Sequence, residues 1–417
     1  MACENLPQWL RYIASLHGKK IDLGLARVRE VAQRLAVLPP GLRNIIVAGT
    51  NGKGSTAVFT EALALAQGMT VGTTVSPHVQ AFNERVRIAG EPLDDATLCE
   101  CFAAVESARG GIALTYFEFA ALVALFAFKR AGVDLAILEV GLGGRLDAFN
   151  IVDADIAIVT SIGLDHEEFL GSDIEQIGRE KAGVFRPEQK VIVGAVTASV
   201  VERAGELNCD ILQLAVDFAL RETSAEWSLS GQDEEWRELP RGDLAPVNCA
   251  LGVLAARSLA AVSRAQILQA LAQARLPGRL EQVTLADRNV YLDVAHNPAG
   301  AEFLAAQLAI RFPGRKFVAV LGMLDNKDAP GVTAALHGTV KRWLTVASLG
   351  DRARSASDLA AAISVAGAGG ESAIACESMV VALSQAQSFT RGDDGILVLG
   401  SFSAVEQARN LMNSGLL

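Results

Sequence analysis

At 417 residues the chain is too long for one ordinary hydrophobic core, so two domains are expected. Hydrophobic residues make up 51% and charged residues 20%, which predicts a globular protein, while a net charge of -10 argues against a nucleic-acid partner. Six scattered cysteines with no histidine at zinc-finger spacing fit free thiols in a reducing cytosol rather than a disulfide scaffold.

The first residues, MACENLPQWLRY, carry an acidic group and lack the apolar stretch of a signal peptide. The longest apolar run, 119–128, is too short for a bilayer. A soluble, cytoplasmic protein without a membrane partner is expected. Apolar residues at helical spacing predict helices over 9–17 and 25–38, the second stopped by Pro39-Pro40. Between them lies a basic-then-acidic loop, 19–25.

Residues 47–55, VAGTNGKGS, organise the rest of the chain. A short β-branched run (45–48) leads into Gly49-Thr50-Asn51-Gly52-Lys53-Gly54-Ser55, and a helical pattern starts at Thr56. Strand, glycine-rich turn and helix start together form a phosphate site. Glycines let backbone N–H groups approach an anion, the helix start adds partial positive charge, and Lys53 adds a full one. The string departs from G-x-x-x-x-G-K-[ST], with two residues rather than four between Gly49 and Gly52 and with Gly54 inserted before Ser55. A purely structural αβ turn is the alternative.

Further strands are expected over 70–75, 133–140, 155–162 and 190–194, with helices over 97–108, 117–130 and 173–183, a βαβ rhythm that predicts a mostly parallel sheet. Segment 225–246, with Trp227, Trp236 and the run DEEWRE, breaks it and reads as a hairpin or insertion. Helices over 247–261 and 263–274 lead to Leu276-Pro277-Gly278-Arg279, the best linker candidate. Strands over 290–294, 316–322, 343–347 and 395–400 alternate with helices over 299–310, 330–339, 356–364 and 379–387, and a last helix spans 403–412. The fold class is α/β with two domains: a P-loop-containing, mostly parallel-sheet domain over 1–276, a linker over 277–281, and a smaller Rossmann-like domain over 282–417.

Ligands of open α/β sheets bind beyond the carboxyl ends of the strands. Lys53 and Ser55, Ser76 and His78, Glu139 and the turn to Arg145, Asp165 and His166, and in the second domain Asp293, His296 and Asn297 all follow strands. A serine hydroxyl, the Glu139 carboxylate and the His166 imidazole could share Mg²⁺, which takes few protein ligands beside waters and phosphate oxygens. Glu139 could instead pair with Arg145, and His166 could simply cap a helix. His78 reads as a turn support. Lys181, near a helix end, reads from the residues alone as a solvated lysine favoured by the helix dipole.

GTNGKGS, SPH, LTYFE, EVGLGGRLD, DH followed by LG, GREKAG, PGR and DVAHNP occur in that order. The chain thereby resembles the folylpolyglutamate synthase/dihydrofolate synthase family of the Mur ligase superfamily, over nearly its whole length, and IDLGL (21–25) resembles its bifunctional bacterial members. The resemblance implies an ATP-dependent amide ligase of folate biosynthesis. ATP phosphorylates the carboxylate of dihydropteroate or a folate, and the amine of L-glutamate attacks the acyl phosphate. It implies ATP, two Mg²⁺ ions and K⁺ as cofactors, small-molecule substrates as partners, and a monomer.

Carried over by motif, Thr50, Asn51, Gly52, Lys53, Gly54 and Ser55 hold ATP phosphates, and Asn248, Arg279, Asp293 and His296 contact nucleotide. Ser76, Glu139, His166 and an N-carboxylated Lys181 hold metal, with Lys53, His166 and Lys181 as the catalytic set. Asp22, Leu23, Gly24 and Leu25, Thr115, Tyr116, Phe117 and Glu118, and Leu146, Asp147 and Ala148 line the pterin site. The chain departs from the family's DATN at Phe149.

Two other readings compete. A peptidoglycan-type ligase carries a UDP-sugar domain ahead of the P-loop, where this sequence has only residues 1–44. A nucleotide switch has no use for Glu139, His166 and a second domain.

Overall fold

A computed structural model describes residues 3–19, 21–231, 234–285, 287–350, 352–365 and 373–414. Lys20 of the 19–25 loop and Asp233 of the charge cluster lie outside the described residues. The chain forms two compact units, one of Met1–Arg221, Trp227–Gly242 and Pro246–Ala274, the other of Glu222–Glu226, Asp243–Ala245 and Arg275–Leu417.

The first unit opens with α1 (Leu6–Ser15), whose N-cap Asn5 accepts the Gln8 N–H, and α2 (Ala26–Leu35). The second helix stops before the two prolines, because Ala36 turns left-handed at φ 52° and closes it. Strand β1 (Arg43–Ala48) feeds α3 (Lys53–Ala66), so Lys53, Gly54 and Ser55 form the first helical turn rather than part of the loop. β2 (Val71–Thr74), β3 (Val86–Ile88) and β4 (Glu91–Pro92) precede α4 (Asp95–Arg109) and α5 (Tyr116–Ala131). Then come β5 (Leu135–Glu139), β6 (Ile156–Ser161), the one-turn α6 (Glu167–Leu170), α7 (Ile174–Ala182), β7 (Lys190–Ala195), α8 (Ala198–Glu206) and β8 (Asp210–Gln213).

These strands form one sheet in the order β4-β3-β2-β5-β1-β6-β7-β8. From β2 to β8 every pairing is parallel, while β3 and β4 add on antiparallel at one edge. Apart from the edge strand β8, the parallel strands are mostly buried runs, as sheets covered on both faces require. β1 sits between β5 and β6, with Val47 opposite Glu139 and Ala48 opposite Val159. That register sets the loops after three neighbouring strands side by side at one sheet edge.

The expected hairpin is a three-stranded sheet of β9 (Phe218–Glu222), β10 (Glu226–Gly231) and β11 (Glu234–Pro240), with Trp227 and Trp236 buried. α9 (Pro246–Leu259) and α10 (Arg264–Gln273) pack on α3, whose side chains from Ser55 to Ala64 are all buried. Gly252 permits this contact, since a Cβ there would lie 2.9 Å from the Phe59 ring and 3.0 Å from Thr60 Oγ1.

The second unit carries β12 (Glu281–Leu285), β13 (Arg288–Leu292), α11 (Pro298–Arg311), β14 (Phe317–Leu321), α12 (Ala329–Ala335), β15 (Val340–Thr345), α13 (Ala356–Val365), β16 (Ile374–Ala375), α14 (Met379–Phe389), β17 (Gly395–Leu399) and α15 (Phe402–Ser414). Its sheet runs β12-β13-β17-β14-β15-β16, parallel apart from the β12–β13 edge. The apolar strands β14 and β17 lie side by side in the buried centre. Among the described residues no helix is long and apolar enough to cross a membrane.

Candidate active site

The loop after β1 is tied down by its neighbour β6. The Thr50 N–H donates to the Ser161 carbonyl (2.7 Å), Thr160 Oγ1 to the Asn51 carbonyl (2.6 Å), and Ser161 Oγ both donates to that carbonyl and accepts the Asn51 N–H. Thr50 Oγ1 donates to the Gly163 carbonyl and accepts the Gly163 N–H. The Asn51 carbonyl and the Thr50 hydroxyl are thus held by the end of β6 and by Gly163 just after it, which fixes the loop leading into α3. Gly49 (φ 141°) and Gly52 (φ 88°) are required here: a Cβ would lie 2.0 Å from Thr160 Oγ1 in the first case and 2.4 Å from Asn248 Oδ1 in the second. The sequence-derived Asn248, buried on α9, therefore stands against the loop.

Two ammonium groups converge on one carbonyl. Lys53 Nζ donates to the Gly49 and Thr50 carbonyls (3.1 Å each), and Lys181 Nζ donates to the Gly49 carbonyl at 2.9 Å. Lys181 lies in the last turn of α7 but is buried, which overturns its reading as a solvated surface lysine. Burial, with the Lys53 charge beside it, pushes its amine down to about 7, against the pull of Asp165 and Asp147. The close packing of Gly144 on the Glu180 and Lys181 carbonyls, where a Cβ would come within 2.7 Å of each, seats α7 against the loop after β5.

Glu139, at the end of β5, accepts the Ser76 N–H at 2.7 Å, so the two join next to β1. Arg145 pairs with Glu180. His78 accepts from Arg85 Nε (2.7 Å), and burial together with the Arg85 charge holds its imidazole at about 4, a neutral turn support as its sequence position suggests. His166 stands at the N-cap of α6 without capping it, in a left-handed conformation (φ 53°), its side chain 42% exposed and 4.0 Å from Asp165.

Among the described residues no three His, Cys, Asp or Glu side chains gather into a metal cluster. Ser76 and Glu139, joined through the Ser76 N–H, offer oxygen donors that fit a hard divalent cation relying on further oxygens from phosphate and water.

The other predicted groups gather near Tyr116. Asp22 pairs with Arg27 (2.6 Å), and Arg27 pairs with Glu118 (3.0 Å), so the 21–25 loop is bound to the start of α5. Thr115 and Glu118 form a reciprocal capping box, while Leu23 stays exposed. Asp147 is buried and turned into its own loop, accepting the N–H groups of Gly141, Leu142 and Phe149. Burial nevertheless pushes it up to about 6. Thr115, Glu118 and Asp147 thus shape backbone; Tyr116, Phe117, Leu146 and Ala148 supply the surfaces beside them. Phe149 is buried edge-on to Phe117 at 5.8 Å, and the Phe117 ring occupies the space over Gly141, so the departure from DATN is absorbed by aromatic packing.

In the second unit Asp293 follows β13 and accepts the Leu280 and Ala295 N–H groups at 2.8 Å each. Burial pushes its carboxyl up, opposed by the Arg279 charge. Arg279 stacks over Phe402 (5.5 Å), and the His296 ring lies 6.4 Å from the same phenyl, with Nδ1 2.8 Å from the Val294 carbonyl. Asn297 caps α11. Sequence reasoning missed Phe402, Thr160, Ser161 and Arg85. Thr160 and Ser161 could have been found as a polar pair closing an apolar strand; Arg85 and Phe402 carry no local signal.

Residues 47–232 match the Mur ligase middle domain, and residues 278–402 match the Mur ligase, glutamate ligase domain. The dihydrofolate synthase/folylpolyglutamate synthase of Escherichia coli is 40% identical over 99% of this chain and 97% of its own. That of Haemophilus influenzae is 37% identical over 86% of each. The structure of E. coli FolC in complex with DHPP and ADP is similar with a TM-score of 0.94 at 40% identity, covering all of both chains. A Yersinia pestis bifunctional folylpolyglutamate synthase/dihydrofolate synthase, complexed with AMPPNP and Mn ion, has a TM-score of 0.91 at 41% identity, over 100% of this chain and 99% of the other. With both Mur ligase domains in order and relatives this close over nearly every residue, the chain belongs to the dihydrofolate synthase/folylpolyglutamate synthase family.

Proposed function

We propose that the protein is an ATP-dependent, ADP-forming ligase that adds L-glutamate to dihydropteroate and to tetrahydrofolate polyglutamates. A carboxylate oxygen of the acceptor bonds to the γ-phosphorus as ADP leaves. The glutamate amine then bonds to the acyl carbon, phosphate leaves, and the amine gives up a proton. The observation that carries this reading is the convergence on β1 of an anion-binding turn, two lysines and the Ser76–Glu139 pair, in a chain 40% identical to a named synthase over 99% of its length.

Thr50 to Ser55 hold the phosphates: the backbone N–H groups from Gly52 to Ser55 face the anion, Thr50 and Asn51, whose N–H groups are held by Ser161, fix the loop, and Lys53 exchanges its carbonyl contacts for the γ-phosphate. Ser76, Glu139, His166 and Lys181 would hold two Mg²⁺ ions, which would offset charge on the transferring phosphoryl group. A carboxylated Lys181 is supported by its buried amine: a neutral amine is what adds to CO₂, and the carbamate oxygen is a hard ligand. Asn248, Arg279, Asp293 and His296 contact nucleotide. Residues 22–25, 115–118 and 146–148 bind the pterin. The enzyme acts as a cytoplasmic monomer, with K⁺ as a further cofactor, and residues 277–281 link a domain over 1–276 to one over 282–417.

The test is phosphate release from ATP and Mg²⁺ with glutamate and either dihydropteroate or tetrahydrofolate, followed by product mass. Release that requires both substrates, with a product heavier by one glutamyl residue, is expected. Release indifferent to glutamate, or a requirement for a UDP-sugar acceptor, refutes the reading.

A further inference from the structure

Arg85 lies between the two halves of the first unit's site and is used by neither. It ends the 3-10 turn Phe82–Arg85, whose return strand β3 pairs with β2. Its Nε donates to His78 Nδ1, and its guanidinium lies 5.8 Å from the Phe82 ring and 5.7 Å from the Tyr116 ring. Among the described residues its two terminal NH₂ groups have no hydrogen-bond acceptor, and no carboxylate pairs with it at contact distance. Glu84, the adjacent acid, spends its oxygens on the Val79, Gln80 and Ala81 N–H groups. Glu139 is near enough to act on the Arg85 charge, and Glu139 itself holds the Ser76 N–H.

A guanidinium that is half-buried, fixed at one nitrogen and flanked by two rings keeps its flat fork preorganised, and that fork fits a carboxylate with two parallel hydrogen bonds. Its position is equally specific: Tyr116 is the pterin side, and Ser76–Glu139 is the metal and phosphate side. The reacting carboxylate must lie between those two.

We propose that Arg85 binds the acceptor's reacting carboxylate and aims it at the phosphoryl group, with the His78 ring holding Arg85 in place. This rests on the ligase reading above. In that role it touches substrate, and its fork reads the ionised acid against a neutral carboxamide.

The test compares binding of dihydropteroate and its carboxamide to the full chain by fluorescence titration, for wild type, Arg85→Gln and Arg85→Lys. Wild type is expected to favour the acid by roughly 10–100-fold, the range of a charge-assisted pair. Arg85→Gln is expected to bring the two ligands within about twofold while leaving KM for ATP unchanged, and Arg85→Lys to keep part of the preference. The lysine variant decides the matter if the glutamine variant does not fold. Retention of the full preference in either variant overturns the proposal, as does a change confined to the Mg²⁺ dependence of phosphate release, which makes Arg85 only a counter-charge for Glu139. If wild type binds both ligands equally the proposal falls while the ligase reading stands on product mass; if it binds neither, both fall.

Discussion

Gly52→Ala tests the physical account of the phosphate loop most directly. Gly52 is the N-cap of α3, with φ 88° and ψ -9°, where an L side chain costs about 1–2 kcal/mol. The new methyl would also lie 2.4 Å from Asn248 Oδ1, a contact no folded protein tolerates, so the Asn248 side chain must leave its rotamer at a cost of about 0.5–1.5 kcal/mol. The sum, roughly 2–3 kcal/mol, corresponds to a fall in Tm of about 5–10 °C for a unit of this size. The assay is thermal unfolding of four proteins: wild type, Gly52→Ala, Asn248→Ala and the double variant. Removing the amide from Asn248 abolishes the clash and leaves the backbone strain, so the alanine at 52 should cost about 1 kcal/mol less in the Asn248→Ala background than in wild type. KM for ATP should rise in Gly52→Ala, because the displaced amide and the widened loop both face the nucleotide. Equal costs in the two backgrounds would refute the contact, and an unchanged Tm would refute the backbone geometry.

Both lysines at the Gly49 carbonyl can be tested by substitution. Lys53→Ala is expected to lower turnover by at least about a thousandfold, the scale of losing one cation from a phosphoryl-transfer site, with near-wild-type phosphate release as the contrary result. Lys181→Ala is expected to lose activity and regain part of it with acetate or formate, which supply the missing carboxylate; full activity without either returns Lys181 to a structural role. In bicarbonate-free buffer Lys181 also sets a pH dependence of stability. Its folded pKa, about 7, lies below the ordinary lysine value of 10.5, so between those values the unfolded chain binds more protons and stability rises with pH, an increase that Lys181→Met should flatten in urea titrations.

Much of the fold was legible because the central strands announce themselves. Residues 45–48, 135–139 and 395–399 are apolar runs bounded by glycine turns, and burial on both faces leaves no other reading. The strands that escaped lie at or next to a sheet edge. Val86–Ile88, Asp210–Gln213 and Glu281–Leu285 are short or half-polar, and only their neighbours make them strands. The N-terminal boundary of α3 slipped by three residues because Lys53-Gly54-Ser55 has turn composition; burial of Gly54 and Ser55 under α9 overrides their weak helix propensity. At the site, Glu139, Ser76 and Asn248 could be placed from strand ends and motifs. Lys181 was legible only through the GREKAG motif, since from the residues alone its charge and helix-end position favour solvent and only the tertiary packing of α7 buries it. Arg85 was illegible for the same reason: nothing local shows which way its guanidinium turns.

The Gly49 carbonyl explains why two lysines so close in space have different roles. One carbonyl oxygen accepts from both Lys53 and Lys181, and two full positive charges on a shared acceptor repel each other in a region with little water. The pair can relax by losing one charge. Lys181 is the member that yields, being the more deeply buried, whereas Lys53 lies at the open start of α3 where a phosphate can replace its carbonyls. A neutral amine so placed is a nucleophile toward CO₂, and the resulting carbamate changes the sign of the interaction: repulsion between two ammonium groups becomes attraction between Lys53 and an anion. In the proposed site such an anion would add a hard oxygen ligand for a divalent cation. The same burial that makes a charged Lys181 costly thus favours the neutral amine that the proposed carboxylation requires.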